Sequence, residues 1–224
     1  MNKFLRDEVV NALIDYKYLL NRGYNQKPSL DLITSHYRLS RSERMMLFRC
    51  VHSDLDSTDV CSRVIDLSEI PNHRLVIDGF NTLLTITSVI EGDFVYLCDD
   101  CFMRDLRSAK IKEFESDSIK RAASTLMNYI KALKPLDVVV VLDKQVSKSG
   151  EFRNELSEML DNVKVVLASK ADITVLMEGG VIASSDFVIL KRANKVFDIA
   201  GYIIMSEFRD KVIDIKEIWK AVQS

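Results

Sequence analysis

"HRLVIDGFNTLL", residues 73–84, is the stretch on which the fold turns. Its apolar core, Leu75-Val76-Ile77, stops abruptly at Asp78-Gly79-Phe80-Asn81. A strand buried on both faces reads as a continuous β-branched run, so the run itself predicts an interior strand. The carboxylate that ends it has two explanations. It starts a turn, as Asp before Gly often does, or it is the first ligand of a metal site. The choice depends on whether other strands end in the same way.

Similar runs recur along the chain: "FVYLC" (94–98), "DVVVVLD" (137–143), "VKVVLAS" (163–169) and "VIASSD" (181–186). Between them lie helical patterns. One face carries Ile119, Ala122, Ala123, Leu126, Ile130 and Leu133; a second carries Phe152, Leu156 and Met159; a third runs from about Lys170 to Gly179-Gly180. The pattern around "GYIIM" (201–205) and a last helix near Trp219 follow. Continuous apolar strands alternating with helices predict an α/β fold, three layers deep, around a parallel sheet.

The first third reads as helices. Val9, Leu13, Tyr16 and Leu20 share a face that ends near Gly23, Pro28-Ser29 opens a second helix, and Ser40-Arg41-Ser42-Glu43 fits a capping box for a third. The last two loosely resemble a helix-turn-helix. The supposed recognition helix, however, spends its centre on Met45, Met46, Leu47 and Phe48, which favours packing over DNA reading. Residues 52–70, polar and acidic, predict a linker. The expected division is a helical module, 1–67, and an α/β domain, 68–224.

Composition sets bounds. The 224 residues are 47% hydrophobic and 29% charged, with a formal net charge of -2, which argues against a general basic coat for nucleic acid but leaves room for a local basic groove. No apolar run approaches the roughly 20 residues of a membrane span. Charges scattered through "MNKFLRDEVVNALIDYK" argue against a signal peptide, so a cytoplasmic protein is expected. Cys98 and Cys101 are formally a CxxC, with Cys50 and Cys61 elsewhere. Cys98 closes an apolar run, where a buried free thiol is the ordinary finding, so zinc and redox roles are not expected.

Asp78 and Asp143 each end a strand, Asp186 follows one, and Asp172 lies in the first turn after another. In an open parallel sheet those ends share one edge, where ligands bind. Asp172 and Asp186 are equally explained as helix-start residues. Helix capping does not explain convergence, because clustered carboxylates repel unless a cation joins them. Magnesium suits such a donor set, whereas the lack of accompanying His or Cys disfavours zinc and iron. The chain has no GxGxxG or GxxxxGK[ST], which argues against dinucleotide and P-loop chemistry. A haloacid-dehalogenase phosphatase wants a second Asp where Phe80 stands. Asp99-Asp100 suits a response-regulator receiver, but the rest of that arrangement is missing.

"VIDGFNTLL", "VVVVLD" and "ASKADITVLMEGGVIASSDFVIL" together resemble the PIN-like nuclease superfamily, including its NYN branch. "YLCDDCFMRDLR" and "VFDIAGYII" resemble more particularly a largely archaeal PIN-like family with a helical N-terminal region. The resemblance covers about residues 29–205. It implies a ribonuclease using Mg²⁺ or Mn²⁺, expected to cut endonucleolytically, with Asp78, Asp143, Asp172 and Asp186 as metal acids and Asn81 orienting Asp78 or a phosphate. Asp100 is a further metal candidate, and Asp105 belongs to the same pattern. Where the family often has Gly after the double acid, this chain has Cys101. Phosphate partners are sought in Arg104, Arg107, Lys110 and Lys112, and in Lys144, Lys148, Ser149 and Arg153 around "SKSGE". Tyr96 and Phe102 could stack on bases, although core packing explains both. The implied substrate is RNA, single-stranded, and homodimers occur in the superfamily. Two rival functions remain: a non-catalytic RNA-binding or regulatory PIN-like protein, and a DNA-binding regulator using the N-terminal helices.

Overall fold

The computed structural model describes residues 5–107, 117–159 and 163–223, with side chains through 219. Its first helices are α1 (Asp7–Asn21), α2 (Gln26–His36) and α3 (Arg41–Cys50). α1 buries Val9, Leu13 and Tyr16, and Gly23 beyond its end has φ +79°. The capping box of α3 is formed: Ser40 Oγ accepts from the Glu43 N–H, and Glu43 accepts from the Ser40 N–H. Met46, Leu47 and Cys50 of that helix are buried.

The polarity of residues 52–70 predicts a linker, and the structure corrects this. Residues Asp54–Ser62 form α4, capped by the Ser53 hydroxyl, and Leu67–Asn72 form a 3-10 turn. Three apolar anchors suffice for order here. Val60, Ile65 and Ile70 are buried in the cores on the two faces of the sheet, while the acidic groups are exposed or half-buried.

The remaining elements are β1 (Arg74–Asp78), α5 (Gly79–Ile90), β2 (Val95–Leu97), β3 (Met103–Arg104), α6 (Asp117–Leu133), β4 (Asp137–Asp143) and α7 (Ser149–Met159). β5 (Val163–Ala168), α8 (Ala171–Glu178), β6 (Val181–Ala183), α9 (Phe187–Arg192), β7 (Lys195–Val196), α10 (Ile199–Glu207), β8 (Val212–Asp214) and α11 (Ile215–Gln223) follow. The central sheet is parallel throughout, in the order β5-β4-β1-β6-β7. The chain therefore winds outward from β1 through β4 to β5, then returns to the other side of β1 for β6 and β7. The reversal falls between β1 and β6, and in such sheets ligands bind outside the carboxyl ends at that crevice.

Alternation along β1 sorts its side chains. Leu75 and Ile77 pack on one face, under α5, α6, α7 and α10, whereas Val76 packs on the other with Val175 of α8 and Ile189 of α9. Period two then sends Asp78 toward the α8–α9 face. By the same alternation Asp143 and Ser184 share that face, since Val141 and Ile182 lie two residues before them and pack there.

"FVYLC" is corrected as well: it does not join the central sheet. β2 pairs parallel with β8 and antiparallel with β3 in a separate three-stranded sheet. One side of it packs in a core that joins Val9, Leu13, Leu30 and Leu47 of the N-terminal helices to Cys98, Ile213 and Ile218.

Gly79 follows Asp78 because only glycine fits there. A Cβ there would meet Leu142 Cδ2 at 2.6 Å and Val140 Cγ1 at 2.9 Å, because α5 starts flush against β4. Gly79→Ala should accordingly lower stability by about 1–3 kcal/mol through overpacking. Urea unfolding followed by circular dichroism measures it, and a neutral result would show that the α5–β4 contact has slack.

Candidate functional site

Asp78 ends β1 at the β1–β6 crevice. The residue is 5% exposed at the end of the central strand. Its Oδ2 accepts from Asn81 Nδ2 at 2.7 Å and from Ser184 Oγ at 2.7 Å. Neither donor carries charge. Ser184 Oγ in turn accepts the Asp186 N–H at 3.0 Å, so one hydroxyl ties the two acidic positions across the β1–β6 crevice. Burial pushes the Asp78 carboxyl up to about 6; its hydrogen bonds pull it down, and the neighbouring Asp186 carboxylate pushes it up again.

Asp186 is half-buried and caps α9, its Oδ1 accepting from the Val188 N–H at 2.7 Å. Asp143 is half-buried at the end of β4, two residues beyond Val141, the partner of Asp78. That register puts its Cα about 8 Å from that of Asp78. Its Oδ1 accepts the Gln145 N–H at 2.8 Å. Asp172, in the first turn of α8, is exposed. The four acids thus share one edge, with Asp78 and Asp186 linked at the crevice and Asp143 and Asp172 outside it. They do not draw together into one tight nest. Among the described residues, the group of three metal-type ligands whose donor atoms lie within 4.8 Å of one another is a different one: His52, Asp99 and Asp100. Local backbone N–H groups hold Asp143 and Asp186 in place, which accounts for the wider spacing.

Several expected ligands are corrected. Asp100 is fully buried, and both its oxygens are taken by Arg104, from Nη1 at 2.7 Å and Nη2 at 2.5 Å. Burial opposes its charge, but the guanidinium prevails and holds the Asp100 carboxyl below its usual range. Arg104 spends its third donor on the Ser185 carbonyl at 2.7 Å, so it supports the β6–α9 turn from beneath and offers nothing to a phosphate. Arg107 pairs with Glu91 and Asp93, beyond the far end of α5 from Asp78. Lys110 and Lys112 lie outside the described residues. Ser149 begins α7 at the same sheet edge, but its hydroxyl donates to the Lys144 carbonyl. Lys144, Lys148 and Arg153 are exposed there. Phe102 is core; Tyr96 is half-buried against the N-terminal helices.

The His52–Asp99–Asp100 group is an ion network. Asp99 accepts from Lys17 Nζ at 2.8 Å, the His52 N–H at 2.7 Å and, on its other oxygen, meets His52 Nδ1 at 2.7 Å. With Asp100 committed to Arg104, the carboxylates already have their partners. Asp105 is likewise held, by Thr85 Oγ1 and Arg49.

Two features were beyond sequence reasoning. Ser184 lies inside the "SxD" pattern, but only the strand register aims it at Asp78. Asp198, half-buried, accepts the Met103 and Gly201 N–H groups at 2.6 and 2.8 Å, with desolvation pushing its carboxyl up to about 6. No spacing in the sequence distinguishes it from an exposed helix cap.

Comparison with known proteins places these residues. Residues 67–202, more than half of the chain, match the family described as "Domain of unknown function (DUF5616)". The chain belongs to that family. Its DUF5616 segment contains Asp78, Asn81, Asp143, Asp172, Ser184 and Asp186. Residues 9–63, which carry Lys17 and His52, match "Protein of unknown function (DUF434)". The Lys17–Asp99–His52 network therefore joins the two matched segments. "Uncharacterized protein MJ0935" of Methanocaldococcus jannaschii is 34% identical over 194 residues, covering 83% of this chain and 90% of the relative. No solved structure matches the DUF5616 chain. Among the described residues no helix is long and apolar enough to cross a membrane.

Proposed function

We propose that the chain is a PIN-like, divalent-metal-dependent ribonuclease that hydrolyses single-stranded RNA at the β1–β6 edge. The observation that carries this is Asp78: a buried carboxylate at the sheet's crevice, beside a second acid, held by uncharged donors alone. A structural carboxylate so buried ordinarily has a cationic partner, as Asp100 has in Arg104. Hard oxygen donors with no His or Cys among them fit Mg²⁺ or Mn²⁺. The Ser185 hydroxyl, buried in the adjoining turn without a hydrogen-bond partner, is a further polar atom that a ligand could satisfy.

Asp78 and Asp186 would hold the ion, with Asp143 and Asp172 farther out on the same edge. When bound, it supplies Lewis-acid charge for attack of water on phosphorus. The chain's own contributions are positional. Asn81 and Ser184 fix the rotamer of Asp78, Arg104 props up the turn that carries Ser184 through Asp186, and the start of α7 with Lys148 offers N–H groups and charge to phosphate.

End-labelled single-stranded RNA incubated with the protein and Mn²⁺ tests the proposal. Internal cleavage is expected, abolished by EDTA and lowered about 100-fold or more in Asp78→Asn. Manganese binding without turnover would favour the non-catalytic alternative. Cleavage undiminished in Asp78→Asn would reject this site.

A further inference from the structure

Cys61 of α4 and Cys101 of the turn between β2 and β3 form a disulfide, with Cα atoms 5.5 Å apart. This departs from the expectation of unremarkable thiols. Cys101 has φ +74°, a left-handed conformation suited to glycine, and the crosslink gives a reason for a side chain at that position. Both cysteines line a cavity of about 470 Å³, roofed in part by Trp219. Two ammonium groups also line it. Lys17 is committed, to Asp54 at 2.9 Å and Asp99 at 2.8 Å. Lys216 of α11 instead meets the sulfurs: its Nζ lies 2.9 Å from Cys101 Sγ and 3.6 Å from Cys61 Sγ.

We propose that this pair is a thiol–disulfide exchange site for small dithiols, with Lys216 stabilising Cys101 as the departing thiolate. The inference is independent of the carboxylate edge. A reagent thiolate attacks Cys61 Sγ, the Sγ–Sγ bond breaks, and the electron pair leaves on Cys101 Sγ against the Lys216 ammonium. The reagent's second thiol gives its proton to solvent and attacks the reagent sulfur of the mixed disulfide. Cys61 then leaves as a thiolate and the dithiol ends as its cyclic disulfide. The reagent loses two electrons and the protein gains them. A neighbouring cation lowers the basicity of the leaving thiol and so speeds exchange.

The test uses the full chain, purified in air, treated with dithiothreitol without denaturant, alkylated and mapped by mass spectrometry. Cys61 and Cys101 should become alkylated, while Cys50 and Cys98, both fully buried, should react only after denaturation. Lys216→Gln should slow the reduction about 10-fold and Lys216→Arg should restore it. With 2-mercaptoethanol the mixed disulfide should form on Cys61. The proposal is overturned if the native protein lacks the crosslink, if reduction requires unfolding, if Lys216→Gln leaves the rate unchanged, or if the mixed disulfide forms on Cys101.

Discussion

Asp100→Ala should cost the fold about 3–5 kcal/mol. Arg104 is 1% exposed and its guanidinium donates to both Asp100 oxygens, so removing the carboxylate leaves a positive charge buried and half-paired. Its remaining bond, to the Ser185 carbonyl, cannot replace a neutralising partner. Urea unfolding would read the loss directly. Replacing both members, in Asp100→Leu with Arg104→Met, should be far milder, because the charge leaves along with its partner. A loss below about 1 kcal/mol for Asp100→Ala would mean that water reaches the pair.

Asp78→Asn should do the opposite. Burial holds the Asp78 carboxyl near 6, above the ordinary range for Asp, so ionising it at neutral pH costs stability. The difference of about two pK units corresponds to about 3 kcal/mol. An Asn oxygen in the place of Oδ2 can accept the same bonds from Asn81 and Ser184 while carrying no charge. The metal-free variant should therefore be more stable than the parent by about 1–3 kcal/mol at pH 8. The sign follows from proton binding. Between pH 4 and 6 the folded parent binds the proton more tightly than the unfolded chain, so the parent regains stability as pH falls. Above 6 the penalty is complete, and below about 4 it has vanished, taking the advantage of the variant with it. Urea melts of both proteins at pH 4.5 and pH 8 would show a gap that closes in acid. Asp198 shares the upward shift, but its carboxylate accepts two backbone N–H groups through separate oxygens. An Asn there would lose one of them, so no comparable gain is expected.

The central sheet was legible because both-face burial leaves unbroken runs such as Val138 to Leu142, which no exposed strand tolerates. The shared edge was legible for the same reason: once the strands are parallel, their carboxyl ends must coincide. What period and spacing could not carry was partnership. Asp99-Asp100 looks like a paired acidic motif, yet one member answers Lys17 and His52 and the other Arg104, residues brought in from α1, the α3–α4 junction and β3. Arg104 follows an acidic pair and looks available to phosphate until its burial is known. Residues 52–70 looked like a linker because their polarity is high, and composition does not register that one valine, Val60, and one crosslink, Cys61 to Cys101, are enough to fix a short helix. Of the four candidate acids, the sequence placed all at the carboxyl ends of the strands, but their separations depend on how each is held: Asp143 and Asp186 by local backbone N–H groups, Asp78 by Asn81 and Ser184.

The most direct test is the thermal shift of metal-free parent and Asp78→Asn as Mn²⁺ is titrated at pH 8. If the Asp78–Asp186 crevice grips a divalent ion, the parent starts lower and rises with manganese, while the variant starts higher and does not respond. Equal manganese-dependent rises in the two proteins, or a variant that begins below the parent, would contradict the account.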